Sequence, residues 1–227
     1  MKKYKYLLFD ADETLLDFSK ASDCAFKNLL NYLEIDYSKE LKDKYEEINL
    51  SLWKQFELGE VDINTVLVER FARFFDYYEI FYDKFKAERI YQNYLSEGAY
   101  LIPGAISVLE KLKNDYSLYI ITNGVAKTQR KRLEKLDLYK YFDKIFISEE
   151  MNTRKPKSDF FDIVTRTISD PSLDRYLVIG DSLSSDIKGG FDYGIDTCFI
   201  NMKKNKKIEA NPTYVVNKIA EVLNVLE

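Results

Sequence analysis

The sequence predicts an α/β protein, a Rossmann-like parallel sheet core into which an α-helical domain is inserted. Three observations carry that expectation. The apolar run Leu7-Leu8-Phe9 near the start reads as a buried strand. From about Lys20 to Glu97 the pattern is helix upon helix, and from Tyr100 onward strands and helices alternate. Strands separated by helices of that length imply right-handed crossovers, hence a parallel sheet covered on both faces. The first strand belongs with the later ones, which makes the helical block an insertion. The expected core is residues 1–16 and 100–227 and the expected insert residues 17–99, with linkers near Leu16–Ser19 and Ser96–Pro103.

In the insert, apolar and aromatic residues recur at three- and four-residue steps, as in Leu50, Trp53, Phe56 and then Val66, Phe71, Phe74, Phe75. Between about Lys20 and Glu97 the single glycine is Gly59 and there is no proline; Gly59-Glu60-Val61-Asp62 reads as a turn between helices. Beyond it, Pro103-Gly104 opens a helix to about Lys113, and Ser117–Ile121 is a strand followed by the loop Thr122-Asn123-Gly124. A helix runs to about Leu136, Lys144–Ile147 is a strand, and Ser158–Ile168 is a helix. Tyr176–Ile179 is a strand leading to a helix with Ile187 and Phe191. Thr197–Ile200 reads as the last core strand, before a C-terminal helix with Val222, Leu223 and Val225.

Composition narrows the function. Hydrophobic residues make up 46% and charged residues 32% of the 227, ordinary for a globular enzyme and too apolar for disorder. A formal charge of −4 argues against a nucleic-acid polymer as partner. No apolar stretch is long enough to span a membrane, and the basic start Met1–Lys5 meets Asp10 too soon for a secretory signal. Cys24 and Cys198 lack partner spacing and read as reduced thiols of a cytoplasmic protein. Lys203-Lys204-Asn205-Lys206-Lys207 reads as a solvated loop. The chain has no histidine. That removes Ser-His-Asp and Cys-His chemistry and any His-ligated zinc, leaving acid–base work to carboxylates, lysine or tyrosine. A bound metal would be a hard cation held by oxygen.

Ligands of open parallel sheets sit beyond the carboxyl ends of the strands, and the polar candidates all fall there. Asp10 and Asp12 follow the first strand, one residue apart, so in extended backbone both carboxylates face one spot. Like charges that close need a cation or a shared proton. Thr122 and Asn123 follow the second strand, Lys155 lies beyond the third, and Asp181, Ser182 and Asp186 follow the fourth. Singly, each has a plain structural reading: Thr122 as a helix cap, Lys155 as a loop lysine, Gly180-Asp181-Ser182 as a turn. Four strand ends converging on one crevice outweigh those readings. Asp10 and Asp181 would give Mg²⁺ the one or two anionic oxygens it usually takes.

Asp10-x-Asp12-x-Thr14, Thr122-Asn123, Lys155-Pro156 and Gly180-Asp181-x-x-x-x-Asp186 resemble, in order and placement, the four motifs of the haloacid dehalogenase superfamily. The resemblance covers the whole chain, since a helical insert between the first two motifs is that superfamily's type-1 cap domain. Glu13 departs from the pattern, standing where most members have glycine. The variant Asp-Ala-Asp-Glu-Thr, with Asn49-x-x-Leu52-Trp53 and Ile121-Thr122-Asn123-Gly124, is similar to a subgroup of 5′-nucleotidases acting on pyrimidine and damaged nucleoside monophosphates.

The resemblance implies a Mg²⁺-dependent phosphomonoesterase working through an aspartyl-phosphate. Asp10 is then the nucleophile and Asp12 the general acid and base. Asp10, the Asp12 backbone carbonyl and Asp181 hold the metal, and Thr122, Asn123 and Lys155 bind phosphate. Asp186 orients Lys155 or metal-bound water. Phe18 and Trp53 are candidates to line the substrate side, while Phe56 is read as packing the cap's own core. The expected partner is a small phosphate ester, a nucleoside monophosphate, handled by a monomer or homodimer. A sugar-phosphate phosphatase or phosphosugar mutase of the same superfamily stays open as an alternative. A phosphoacceptor signalling receiver would use similar residues, but receivers are about half this length and carry no helical insert.

Overall fold

The computed structural model describes residues 3–202 and 210–227, so the lysine-rich 203–207 lie outside the described residues. The chain divides into two compact units, Met1–Phe18 with Ala99–Glu227, and Ser19–Gly98.

The first unit is built on a six-stranded sheet in the order β3-β2-β1-β4-β5-β6. Its strands are β1 (Tyr6–Phe9), β2 (Ser117–Thr122), β3 (Lys144–Ile147), β4 (Tyr176–Gly180), β5 (Asp196–Ile200) and β6 (Tyr214–Val216). Every neighbouring pair is parallel. Successive side chains alternate between faces. Leu7 and Phe9 join Leu118, Ile120, Leu177 and Ile179 on one side, packed with Leu109 of α5 (Ala105–Leu112), Leu133 of α6 (Ala126–Lys135) and Val222 of α10 (Val222–Leu226). Tyr6, Leu8, Tyr119, Ile121 and Val178 face the other way, onto Phe160, Phe161 and Val164 of α8 (Ser158–Ile168). The short α7 (Ser148–Met151) and α9 (Lys188–Tyr193) complete the unit.

Two elements differ from expectation. The sheet gains β6, whose three residues beside a polar stretch are too few to display alternation in the sequence. The helix expected after β4 begins instead as a π-helical turn at Leu183–Ile187, where the Ile187 amide donates to the Ser182 carbonyl at 3.1 Å, five residues back. Register then sets the site: Phe9, the last residue of β1, lies opposite both Ile120 and Ile179, so Asp10 leaves β1 beside the last residues of β2 and β4, which run on to Thr122 and Gly180.

The second unit holds α1 (Phe18–Tyr32, beginning at the boundary), α2 (Lys39–Leu58), α3 (Ile63–Tyr77) and α4 (Lys84–Glu97). Three helices have side-chain N-caps: Ser38 accepts from the Leu41 amide, Asp62 from Thr65, and Asp83 from Phe85 and Lys86. Gly59 ends α2 in the left-handed region (φ 85°), closing the expected turn before Asp62. The core is aromatic: Phe26 stacks on Tyr45 at 4.4 Å, and Phe71 lies 5.6 Å from Tyr45 and 5.4 Å from Tyr91. Among the described residues no helix is long and apolar enough to cross a membrane.

Candidate active site

Asp10 leaves β1 with its amide donating to the Ile179 carbonyl at 2.8 Å, which fixes its backbone to the end of β4. The chain then turns tightly: Leu15 and Leu16 both donate to the Ala11 carbonyl, and the Glu13 amide returns to Leu16 at 2.7 Å. Glu13 adopts φ 57° in that turn, a left-handed conformation that glycine enters without penalty. Thr14 is fully buried in the turn, and its hydroxyl has no hydrogen-bond partner among the described residues.

Lys155 is the hub. Its ammonium is 1% exposed and donates to Asp10 Oδ1 at 2.6 Å, Asp186 Oδ1 at 2.6 Å and the Ile121 carbonyl at 2.8 Å. All three of its donors are used. Burial alone would lower the Lys155 pKa; the carboxylates of Asp10 and Asp186 outweigh it, and the net direction is up, so the lysine is held charged. Asn123 places the lysine's backbone. Its Oδ1 accepts from the Lys155 amide and its Nδ2 donates to the Lys155 carbonyl, both at 3.0 Å. The Asn123 side chain is thus engaged with the Lys155 loop, where the sequence suggested phosphate.

Asp186 folds back from the π-helical turn, and its Oδ2 accepts from the Ser182 amide at 3.1 Å. That fold depends on Gly180: a Cβ there would stand 2.3 Å from Asp186 Oδ2. Carboxylate oxygens of Asp10, Asp181 and Asp186 all lie within 4.8 Å of one another. Burial pushes the Asp10 pKa up, Lys155 pulls it down, and Asp186, Asp181 and Asp12 push it up again, for a net rise. Three carboxylates against one ammonium leave excess negative charge, and an all-oxygen donor set fits a hard divalent cation.

Asp12 stands apart from this cluster. Its cation is Arg132, not Lys155: Arg132 NH1 donates to Asp12 Oδ1 at 2.6 Å, and Gln129 Nε2 donates to Asp12 Oδ2 at 2.8 Å. The same Gln129 nitrogen donates to Thr122 Oγ1 at 2.9 Å, and the Gly124 amide reaches that oxygen at 3.1 Å. With both acceptor positions of the hydroxyl filled, the Thr122 proton remains to donate. Gln129 and Arg132 escaped the sequence reading. Their signal was two polar residues three apart on the buried face of α6, beside Leu133.

Phe18 is half-buried, its ring centroid 5.8 Å from the Arg132 guanidinium carbon. Trp53 belongs to the helical unit, half-buried and edge-on to the buried Phe56 at 5.6 Å. Asn49, two turns of α2 from the end of that stripe, accepts from Arg70 NH1 at 3.2 Å.

A parallel sheet whose strand ends converge on a lysine-bridged carboxylate cluster fits a haloacid dehalogenase-like hydrolase, and the chain belongs to that family: its model matches residues 7–200. Among individual proteins, it is 40% identical to YfnB of Bacillus subtilis (strain 168) over 100% of this chain and 97% of that one. It is 38% identical to the pyrimidine 5′-nucleotidase PynA of Streptococcus pneumoniae, over 99% and 95%. It is 31% identical to the pyrimidine 5′-nucleotidase YjjG of Escherichia coli K12, over 99% and 98%. A crystal structure of YfnB bound to magnesium superposes with a TM-score of 0.95 at 38% identity, covering all of both chains.

Proposed function

We propose that this chain is a Mg²⁺-dependent phosphomonoesterase, a 5′-nucleotidase acting on pyrimidine or non-standard nucleoside monophosphates. The observation that carries it is the separation of two neighbouring carboxylates into two environments. Asp10 sits in the lysine-bridged cluster, while Asp12, two residues on, has its own pair of donors. Carboxylates so divided can do different work in one reaction. The identity to PynA and YjjG supports the narrower substrate class.

Asp10 attacks phosphorus in line; a bond forms from its carboxylate oxygen to phosphorus as the ester bond to the alkoxide breaks. Asp12 gives its proton to that alkoxide, then takes one from the water that cleaves the aspartyl-phosphate. Lys155 and the Thr122 hydroxyl offer positioned donors to the phosphoryl oxygens. Asp186 holds Lys155 in place, and Asn123 holds its backbone. Asp10, Asp181 and the Asp12 carbonyl are the groups that would hold Mg²⁺, which would supply positive charge to screen the nucleophile from the phosphate. The helical unit, Ser19–Gly98, is the cap in this reading, and Trp53 is its candidate for substrate choice.

Phosphate release from a panel of nucleoside monophosphates, sugar phosphates and aryl phosphates, with and without Mg²⁺, tests this reading. Metal-dependent turnover favouring pyrimidine monophosphates, lost in both Asp10→Asn and Asp12→Asn, is expected. Release spread over other esters would remove the nucleotidase assignment and keep the phosphatase. Full activity in either variant would overturn the mechanism.

A further inference from the structure

The hydrolytic reading gives Asp12 two duties but does not say what aims it. Asp12 lies in a loop, with a quarter of its side chain exposed, where an unsupported carboxylate would sample several rotamers. Both of its oxygens are instead taken by donors from a single rigid element. Arg132 and Gln129 are each 1% exposed, sit three residues apart on α6, and reach the two oxygens separately. Arg132 NH1 also donates to Gln129 Oε1 at 3.0 Å, which fixes which end of the Gln129 amide faces Asp12. The freed Gln129 nitrogen then serves Asp12 and Thr122 together.

That helix is itself anchored to the sheet unit. The Ala126 amide at its start donates to Glu149 Oε2 at 2.7 Å, and Leu133 is fully buried against the sheet. A buried arginine and glutamine on the core-facing side of a helix are expensive to desolvate unless they are satisfied. Here they converge on a carboxylate whose neighbour two residues away belongs to the lysine cluster, and on the hydroxyl that closes the same crevice.

We infer that Gln129 and Arg132 are positioning residues: they hold the Asp12 carboxyl in one orientation and tie it to the Thr122 hydroxyl, so that the proton-handling group and a phosphoryl donor move as one piece. This rests on the phosphomonoesterase reading. It goes beyond that reading because neither residue belongs to the motifs that support it. In this inference the pair acts on the leaving oxygen through Asp12.

A leaving-group series separates such a role from scaffolding. Esters with poor leaving groups depend on proton donation, whereas 2,4-dinitrophenyl phosphate departs without it. The measurement is kcat/KM for alkyl, phenyl, 4-nitrophenyl and 2,4-dinitrophenyl phosphate in the wild type, Arg132→Met, Arg132→Lys and Gln129→Leu. Arg132→Met is expected to lose at least about tenfold more on the alkyl ester than on the dinitrophenyl ester. Arg132→Lys, keeping one donor toward Asp12, should recover part of that difference. Thermal melts accompany each variant, and if Arg132→Met does not fold, Gln129→Leu carries the same comparison. An equal fall across the series, or no fall, overturns the inference. A wild type that hydrolyses none of these esters with Mg²⁺ instead overturns the underlying function, a result distinguishable because it precedes any variant.

Discussion

Lys155 in the sheet unit and Arg70 in the helical unit are each 1% exposed, and each is met by carboxylate oxygen inside its own core. Arg70 meets a balanced partner. Glu88 Oε2 accepts from its NH2 at 2.7 Å and Nε at 3.2 Å, the Leu67 carbonyl shares that Nε donor, Asn49 accepts from NH1, and the Tyr91 ring lies 4.6 Å from the guanidinium carbon. Gln92 in turn donates to Glu88 Oε1 at 2.9 Å. One cation faces one anion, with neutral groups filling the remaining valences. Lys155 faces two carboxylates directly and a third within the same cluster. A pair that closes on itself has no capacity left over. The cluster that does not close retains negative charge for something from outside, and that difference marks which buried charge is working chemistry.

Four variants probe this contrast in order of size. Asp10→Asn comes first, because it removes the group proposed to bond phosphorus; activity should fall by about a thousandfold or more while the fold is kept, as read by phosphate release and circular dichroism. Next come Lys155→Met and Arg70→Met. Each strands a buried carboxylate, for a loss of about 3–5 kcal/mol in chemical denaturation. Added Mg²⁺ separates them: it should restore part of the stability of Lys155→Met, by binding the folded cluster, and leave Arg70→Met unmoved. Equal insensitivity of both variants would erase the distinction drawn above. Replacing both Arg70 and Glu88 with leucine should cost far less than Arg70→Met alone, since a closed pair can be exchanged for apolar packing.

Much of the sheet unit could be read from the chain because its strands are buried on both faces and appear as uninterrupted apolar runs, such as Leu118–Ile121 and Leu177–Ile179. The polar residues that end those runs are legible for the same reason: a charge directly after a buried strand has nowhere to be except the sheet's edge. β6 lacked that contrast, with Val215 46% exposed in an edge strand of three residues. The π-helical turn was hidden because Leu183–Ile187 has the composition of an ordinary first turn, and the extra residue shows only in the hydrogen bond from Ile187. Gln129 and Arg132 were hidden by their own chemistry. On a helix as polar as Ala126–Lys135 they look like solvent-facing residues, and their burial and their bonds to Asp12 show otherwise.

The smallest effect uses one residue type in both units. Glu13, in the Asp12 loop, has φ 57°, and Glu79, exposed after α3, has φ 53°. Both pay the same left-handed backbone cost, so glycine at either position should stabilise by about 0.5–1 kcal/mol, seen as a shifted denaturant midpoint at constant slope. Their effects on catalysis should part. Glu79→Gly relieves strain in a segment with no contact to the carboxylates and should leave phosphate release unchanged. Glu13→Gly relieves the turn that carries Asp12, in which the Glu13 amide donates to the Leu16 carbonyl at 2.7 Å and holds the loop closed. A looser turn weakens the aim that Gln129 and Arg132 impose, and a several-fold drop in kcat is expected alongside the gain in stability. Should Glu13→Gly gain stability at no cost in turnover, the orientation of Asp12 is set by α6 alone, and the loop contributes only its length.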